Sequence, residues 1–374
     1  RGARAAGPAL RALGDACGAL LATSAVARGL FATDPWNLDV AGGMATPLAA
    51  ELLCAADAVV SFGCALNPWT TRHGELIGPD AAVAQVDLDP LAPGRHLPVD
   101  LGVVGDCART ARAVAAELRS RGHAATGYRT ARVRERIAAE GRWRDVPYED
   151  AGTDGGAEAG ADARIDPRTL TIALDGLLDR DRVIALDSGN FLGYPTVYLD
   201  VPDERALCFG QGFQCVGLGL AAAVGAALAQ PGRLPVCGTG DGGLLMAAAE
   251  LETVVRLRLP MVVVVYNDAA YGAEVHHFGR TGSDEGIVTF PDTDLAAVAR
   301  GHGFDGVTVR RPADLDRVAG WLAGPRTRPL LVDAKVADRE PAWWLAEAFK
   351  GSWDVSAGPR RGLFSPAGFH VETS

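Results

Sequence analysis

An α/β protein of two open, parallel-sheet domains is the fold class that three features of this sequence predict. The chain has 374 residues, too many for one ordinary core and suited to two of roughly 100 to 200 residues each. Short apolar runs alternate with longer helical patterns on both sides of the middle of the chain, as parallel strands joined by helical crossovers require. Between the two halves the character changes: a charged run, Arg129–Arg144, leads into Asp150-Ala-Gly-Thr-Asp-Gly-Gly-Ala-Glu-Ala-Gly160, which has little to bury. The expected division is a first domain over 1–122, a linker over 123–165, a second domain over 166–340 and a C-terminal tail over 341–374.

Composition bounds the function classes. With 48% hydrophobic and 22% charged residues, 46 glycines and 22 prolines, the chain lies in the globular range. A net charge of −10, from 36 basic and 46 acidic residues, gives no electrostatic footprint for nucleic acid. Lys335 and Lys350 are the only lysines, which reads as genomic base composition rather than chemistry. The seven cysteines are odd in number, form no CxxC pair and lie mostly in apolar runs, so buried free thiols in a reducing compartment are expected. No secretory signal and no run suited to span a bilayer is found, so the chain reads as cytoplasmic and without a membrane partner. It opens at Arg1 within what looks like a helix entry, Arg1–Gly7, from which a preceding segment is expected.

In the first half, helices are expected at Leu10–Leu20, Pro47–Ala56 and Cys107–Arg119, and strands at Leu21–Ser24, Ala58–Gly63, Ala82–Asp87 and Gly102–Val104. In the second half, a helix at Pro167–Leu178 precedes a strand at Arg182–Asp187. A Gly/Ala-rich helix at Val216–Ala229, a strand at Leu234–Gly238, a helix at Leu244–Arg258 and a strand at Met261–Asn267 come next. Helices at Leu295–His302 and Ala313–Leu322 lead to a last strand at Leu330–Ala334. No solenoid repeat is present. The Gly/Ala-rich helix could pack on a partner or on its own sheet. The tail carries Trp343, Trp344, Phe349 and Trp353, which could cover a cleft, a neighbouring subunit or their own domain.

Ligands of open parallel sheets bind beyond the carboxyl ends of strands. Three such ends in the second half carry unusual residues: Asp187-Ser-Gly-Asn-Phe191, Gly238-Thr-Gly-Asp-Gly-Gly243 and Tyr266-Asn-Asp-Ala-Ala-Tyr-Gly272. Glycines before a helix let backbone N–H groups and the helix dipole face a phosphate. A carboxylate in the same turn, Asp241, would repel a bare phosphate, and a hard divalent cation resolves the conflict, since Mg²⁺ takes oxygens from one or two carboxylates, a carbonyl and phosphate. Asp241 and Asp268, separated by one helix and two strand ends, can supply two of them, so the site reads as diphosphate plus Mg²⁺. Glycine turns are common and Asn267-Asp268 alone is a turn signal; the combination carries the reading.

That combination resembles the thiamine-diphosphate motif of acetolactate-synthase-like enzymes: Gly240-Asp241-Gly242, then Glu250-Leu251, Leu259-Pro260 and Asn267-Asp268. The likeness extends to Gly212-Phe-Gln-Cys-Val-Gly-Leu-Gly-Leu-Ala-Ala-Ala-Val-Gly225 and, in the first half, to Arg28-Gly-Leu-Phe31, Gly42-Gly43, Ala56–Gly63 and Gln85-Val-Asp-Leu-Asp-Pro90. It implies that the first half is the family's central Rossmann-like domain and the second its diphosphate-binding domain, without the N-terminal pyrimidine-binding domain.

The resemblance further implies that Asp241 and Asp268 ligate Mg²⁺ through side chains and Ala270 through its carbonyl. Asp268 stands where many relatives have Asn, and either offers an oxygen. Gly189, Asn190 and Phe191 match the first diphosphate loop, Gly240, Gly242 and Gly243 the second, and Val216 the bulky residue, often Met, that props the cofactor into its bent form. Tyr271 joins the cofactor-binding set, and the substrate-side candidates are Tyr271, Glu274, His276 and His277. The two adjacent histidines could steer a carboxylate or relay protons, or belong to a solvated loop with one inward aromatic. Asn67-Pro-Trp-Thr-Thr-Arg-His-Gly74 departs from the Arg-Phe-Asp-Asp-Arg run of flavin-binding relatives, which speaks against FAD. The implied function is a thiamine-diphosphate- and Mg²⁺-dependent 2-oxo-acid carboligase or decarboxylase, incomplete as this chain because the activating glutamate lies in the pyrimidine-binding domain. That domain would come from a homo-oligomer (dimer or tetramer) or a separate chain. The alternatives are a non-oxidative 2-oxo-acid decarboxylase or 2-hydroxyacyl-CoA lyase and, in another class, a non-catalytic nucleotide-binding or regulatory protein.

Overall fold

The computed structural model describes residues 4–125, 127–153, 162–210, 215–279, 282, 284–337, 340–348 and 350. In the first half, β1 (Leu21–Thr23) and β2 (Asn37–Val40) form a parallel pair, and β3 (Ala58–Phe62), β4 (Ala82–Asp87) and β5 (Leu101–Val104) form a three-stranded parallel sheet in that order. The first-half strands thus fall into two sheets. In the second half, β6 (Arg182–Leu186), β7 (Leu207–Phe209), β8 (Leu234–Gly240), β9 (Val262–Asn267), β10 (Asp305–Val309) and β11 (Leu330–Lys335) make one sheet in the order β10-β11-β9-β8-β6-β7. Every pair in it is parallel.

The central strands are buried along nearly their whole length, Gly240 at the end of β8 being half-buried, because helices cover both faces. β9 reads Val-Val-Val-Val-Tyr-Asn with all six residues buried, the β-branched run that suits a strand enclosed on two sides. One face packs Leu170 and Leu174 of the helix Pro167–Leu177 against Ile184, Val236, Val264 and Val332; the other packs Leu220 and Ala223 of the helix Gly219–Ala229 against Ala185, Cys237 and Val263. The Gly/Ala-rich helix therefore lies on its own sheet. The first core also takes in Val40 and Met44 from the first half and Trp344 and Leu345 from the tail, so the two halves share packing.

Several boundaries differ from the sequence reading for identifiable reasons. The first helix runs Gly7–Cys17 and stops where Gly18 turns left-handed at φ +71°. The Gly/Ala-rich helix starts at Gly219 rather than Val216, because Gly217 is left-handed at φ +90° and breaks the run. The single helix expected at Leu244–Arg258 is two, Asp241–Met246 and Glu250–Arg256, with tighter bonds from Glu250 N–H to Ala247 O and Leu251 N–H to Ala248 O at the break. The stretch read as linker holds a helix, Ala131–Glu140, whose Ile137 is buried. β2, β7, β10 and the helices Gly193–Tyr198 and Gly272–Phe278 were not anticipated. All seven cysteines are free, but Cys54 and Cys215 are exposed, so the expectation of buried thiols holds only for some, Cys107 and Cys237 among them. Among the described residues, no helix is long and apolar enough to cross a membrane.

Candidate functional site

The chain passes from β6 outward to β7 and then back to β8 on the other side of β6. This reversal of order opens a crevice at the carboxyl ends of the strands, where open α/β sheets bind ligands. The three loops singled out from the sequence follow β6, β8 and β9, which are neighbours. Their residues Gly189, Asn190, Phe191, Gly240, Asp241, Gly242, Gly243, Asp268, Ala270 and Tyr271, together with Val216, line one cavity of about 330 Å³. Glu274 lines it as well; His276 and His277, on the helix Gly272–Phe278, do not.

Asp187 ties these loops together. Its buried carboxylate accepts hydrogen bonds from the N–H groups of Gly217 (3.0 Å to each oxygen), Leu218 (3.3 Å) and Ser188 (2.9 Å), and from the Thr239 hydroxyl (3.1 Å). One side chain thus fixes the loop after β6, the end of β8 and the turn beside Val216. The approach is close enough to demand glycine on the facing elements. A Cβ at Gly219 would lie 2.6 Å from Asp187 Cβ, and one at Gly243 would overlap the Asp187 carboxylate and stand 3.0 Å from Thr239 Oγ1. A Cβ at Gly242 would overlap the Tyr271 ring, with Cδ1 at 2.9 Å. Tyr271 is itself fixed by its N–H bond to Val288 O (2.8 Å) and an edge contact with Phe290 at 5.3 Å between centroids.

Asp241 is 3% exposed. Its Oδ1 accepts the Gly242 N–H at 2.8 Å, while its Oδ2 is buried and has no hydrogen-bond partner among the described residues. Burial pushes the carboxyl up to about 6, against the pull of the backbone N–H groups of Gly242, Ala269 and Ala270. The loop after β9, with Ala269 and Ala270, lies beside Asp241. That loop turns through Ala269, a non-glycine residue at φ +59°, a strained conformation that the surroundings must hold. The hold is a buried polar chain. Lys335 Nζ pairs with Asp333 at 3.1 Å and with Asp292, Asp333 accepts from Asn267 Nδ2 at 2.8 Å, and Asn267 Oδ1 accepts the Ala269 N–H at 3.2 Å. Asp333 and Lys335, 0% and 2% exposed inside β11, are tolerated there because each is paired and hydrogen-bonded.

The mouth is covered by the beginning of the tail. The helix Trp343–Ala348 places Trp344 and Leu345 in the cavity wall, Trp344 against Trp69 from the first half with ring centroids 6.1 Å apart. Asn190 spends its polar groups on this cover: its Oδ1 accepts the Ala342 N–H and its O the Trp344 Nε1–H, both at 3.1 Å. Trp344 fits only because residue 193 is glycine, whose Cβ would overlap the indole, with Cγ at 2.9 Å. Trp343 packs against Trp143 with ring centroids 4.7 Å apart and planes tilted by 44°, Glu347 O meets His73 Nε2 at 3.1 Å and Lys350 pairs with Glu75 at 2.6 Å. The described part of the tail therefore covers both a cleft and the domains of its own chain; Phe349 and Trp353 lie outside the described residues.

Chemically, the cavity offers a buried carboxylate oxygen awaiting a partner, a second carboxylate at Asp268, the Ala270 peptide and glycine turns that admit close backbone approach. Among the described residues no three His, Cys, Asp or Glu side chains gather to hold a metal by themselves, so a cation here would take further oxygens from a carbonyl and from its ligand, as Mg²⁺ does with phosphates. The helix after the second loop has six residues, Asp241–Met246, so its dipole contributes less than the sequence suggested, and an anion bound here would lean on the turn amides.

Two family models match the chain: "Thiamine pyrophosphate enzyme, central domain" over residues 1–114 and "Thiamine pyrophosphate enzyme, C-terminal TPP binding domain" over residues 187–334. The chain is 30% identical over 277 residues to the sulfoacetaldehyde acetyltransferase of Roseovarius nubinhibens, covering 71% of this chain and 46% of the relative. It is 31% identical over 156 residues to the acetolactate synthase of Bacillus subtilis (41% and 27%), and 23% identical over 310 residues to the acetolactate synthase large subunit of Haemophilus influenzae (82% and 52%). The chain spans about half the length or less of these curated relatives.

Proposed function

This chain belongs to the thiamine pyrophosphate enzymes, and from that membership we propose that it carries the diphosphate half of a thiamine-diphosphate- and Mg²⁺-dependent 2-oxo-acid carboligase or decarboxylase of the acetolactate-synthase type. The single observation that supports the cofactor reading most is the buried, unpartnered Oδ2 of Asp241 facing the loop after β9. In this reading Asp241, Asp268 and the Ala270 carbonyl hold Mg²⁺, Gly189, Asn190, Phe191, Gly240, Gly242 and Gly243 receive the diphosphate, and Val216 props the ring system, with Asp187 fixing the turn beside it. When bound, thiamine diphosphate supplies the electron sink for the pair released as a 2-oxo acid loses CO₂. The chain's own part is to bind and orient: Tyr271 and Glu274 face the cavity on the substrate side, and Trp69, Trp344 and Leu345 exclude water from its mouth.

The relatives named acetolactate synthase and sulfoacetaldehyde acetyltransferase favour a transferase over a lyase. Analysis of products from pyruvate, acetolactate against acetaldehyde, separates the two. The matched domains are the central and C-terminal ones, so full activity is proposed to need a pyrimidine-binding domain beside them. The test of the reading is a thermal unfolding series with thiamine diphosphate and Mg²⁺, beside Asp241→Ala. A midpoint that rises in the wild type and not in the variant supports it, because a ligand that binds only the native state must stabilise it. A rise of equal size in both proteins overturns the site. Pyruvate turnover by this chain alone, lost in Asp241→Ala, overturns the need for a further domain.

A further inference from the structure

At the other end of β6 from the cofactor loops lies a second cavity, of about 470 Å³, between the two halves of the chain. Its wall carries Arg28 from the first half, Arg142 and Arg144 from the connecting stretch, and Arg180 and Arg182 at the start of β6. Arg182 opens β6 and the diphosphate loop follows Leu186, so the two sites stand about 13 Å apart along the strand at roughly 3.3 Å per residue. Three carboxylates answer the five guanidinium groups. Arg28 holds Asp39 through two bonds of 2.8 and 2.9 Å, and Arg142 reaches the same carboxylate at 3.1 Å. Arg144 pairs with Asp175 and Asp200, each at 2.8 Å, and Arg182 pairs with Asp175. Arg180 pairs with no carboxylate among the described residues, so the wall keeps an excess of positive charge.

Arg182 is 1% exposed, and its Nη1 is buried without a hydrogen-bond partner among the described residues, while its Nε and Nη2 donate to Asp200 O at 3.0 and 2.9 Å. A buried guanidinium N–H left unpaired is costly, the fork geometry of arginine pairs bidentately with phosphoryl oxygens, and the excess of positive charge on the wall suits a dianion. We infer that this arginine-walled cavity is a binding site for the phosphoryl dianion of a small metabolite, seated between Arg142, Arg180 and Arg182 and bridging the two halves of the chain.

The test uses inorganic phosphate as probe on the whole chain, with potassium chloride at matched ionic strength as control. The wild-type melting temperature rises saturably with phosphate beyond the chloride control, and Arg142→Ala with Arg180→Ala weakens the apparent affinity tenfold or more. Both side chains are partly or wholly solvent-exposed, so the double variant folds; its melting temperature in chloride checks this. Arg182→Gln serves as a second variant aimed at the unpaired Nη1. A wild-type response no larger than that to chloride overturns the inference. An undiminished response in the double variant places the phosphate elsewhere and also overturns it. An equal response to succinate overturns the phosphoryl assignment.

Discussion

Replacing Asp187 by alanine removes one carboxylate that four donors share: the N–H groups of Gly217, Leu218 and Ser188 and the Thr239 hydroxyl. Thr239 is 1% exposed and has one other acceptor, Gly240 O at 3.1 Å, whereas Gly217 N–H loses both of the bonds it makes. With Thr239 buried and Gly217 half-buried, one to two donors are left unsatisfied, and at about 1 to 3 kcal/mol per unsatisfied group the loss comes to about 3 kcal/mol. For a domain of this size that is a fall of roughly 6 to 12 °C in melting temperature. Asp187→Asn keeps one acceptor oxygen and should lose about half as much. The same substitution frees the turn beside Val216, so the response to thiamine diphosphate and Mg²⁺ should weaken in Asp187→Ala even at temperatures where the protein is folded by circular dichroism. A melting temperature within 2 °C of wild type, or a fall with the cofactor response fully kept, would refute the view that Asp187 braces the site.

Gly242→Ala pushes a methyl group into Tyr271, and overpacking of this kind costs about 1 to 3 kcal/mol; denaturant titration measures it, and cofactor affinity should fall with it. Gly193→Ala should expel Trp344 from its seat, seen as a red shift of tryptophan emission, and an unchanged spectrum would show that the tail is not held there. Burial works against ionising Asp39, but the Arg28 guanidinium beside it, with help from Arg142, holds the carboxyl below its ordinary value of 3.8. A depressed acid is protonated first in the unfolded chain, so its contribution to stability is present above about pH 4 and is lost as pH falls through the folded value. Asp39→Asn should flatten the acid limb of the stability profile, and an unchanged limb would assign acid unfolding to other groups.

How much of this could be read from the sequence depends on whether local pattern or distant partners decided each feature. The run Val262–Val265 and the turn Gly240-Asp241-Gly242 announce themselves, because apolar periodicity and glycine carry their own conformational signal. β2 did not, since Asn37 and Asp39 look like loop residues until Arg28, nine residues before Asn37, is known to be folded over them. Asp187 looked like one more strand-end acid, and only the fold brings Gly217 and Thr239 to it. The Lys335–Asp333–Asn267 chain was invisible for the same reason, since it joins two residues of β11 to the end of β9, 66 residues before Asp333. His276 and His277 are a different case: adjacent histidines near a loop attract notice, and on the helix Gly272–Phe278 they do not line the cavity that Glu274 lines. Asn190 lines the cavity as the loop motif suggested, but its side-chain oxygen is committed to the tail, a contact whose partner lies 152 residues away.

The most direct test of the central claim is isothermal titration of thiamine diphosphate into the chain with Mg²⁺ and with EDTA, repeated on Asp241→Asn. The account requires binding in Mg²⁺, none in EDTA, and a loss of at least tenfold in affinity in the variant, whose shape is kept and whose charge is gone. Binding of equal strength in EDTA, or in Asp241→Asn with Mg²⁺, would contradict a cation held by Asp241 at the carboxyl end of β8.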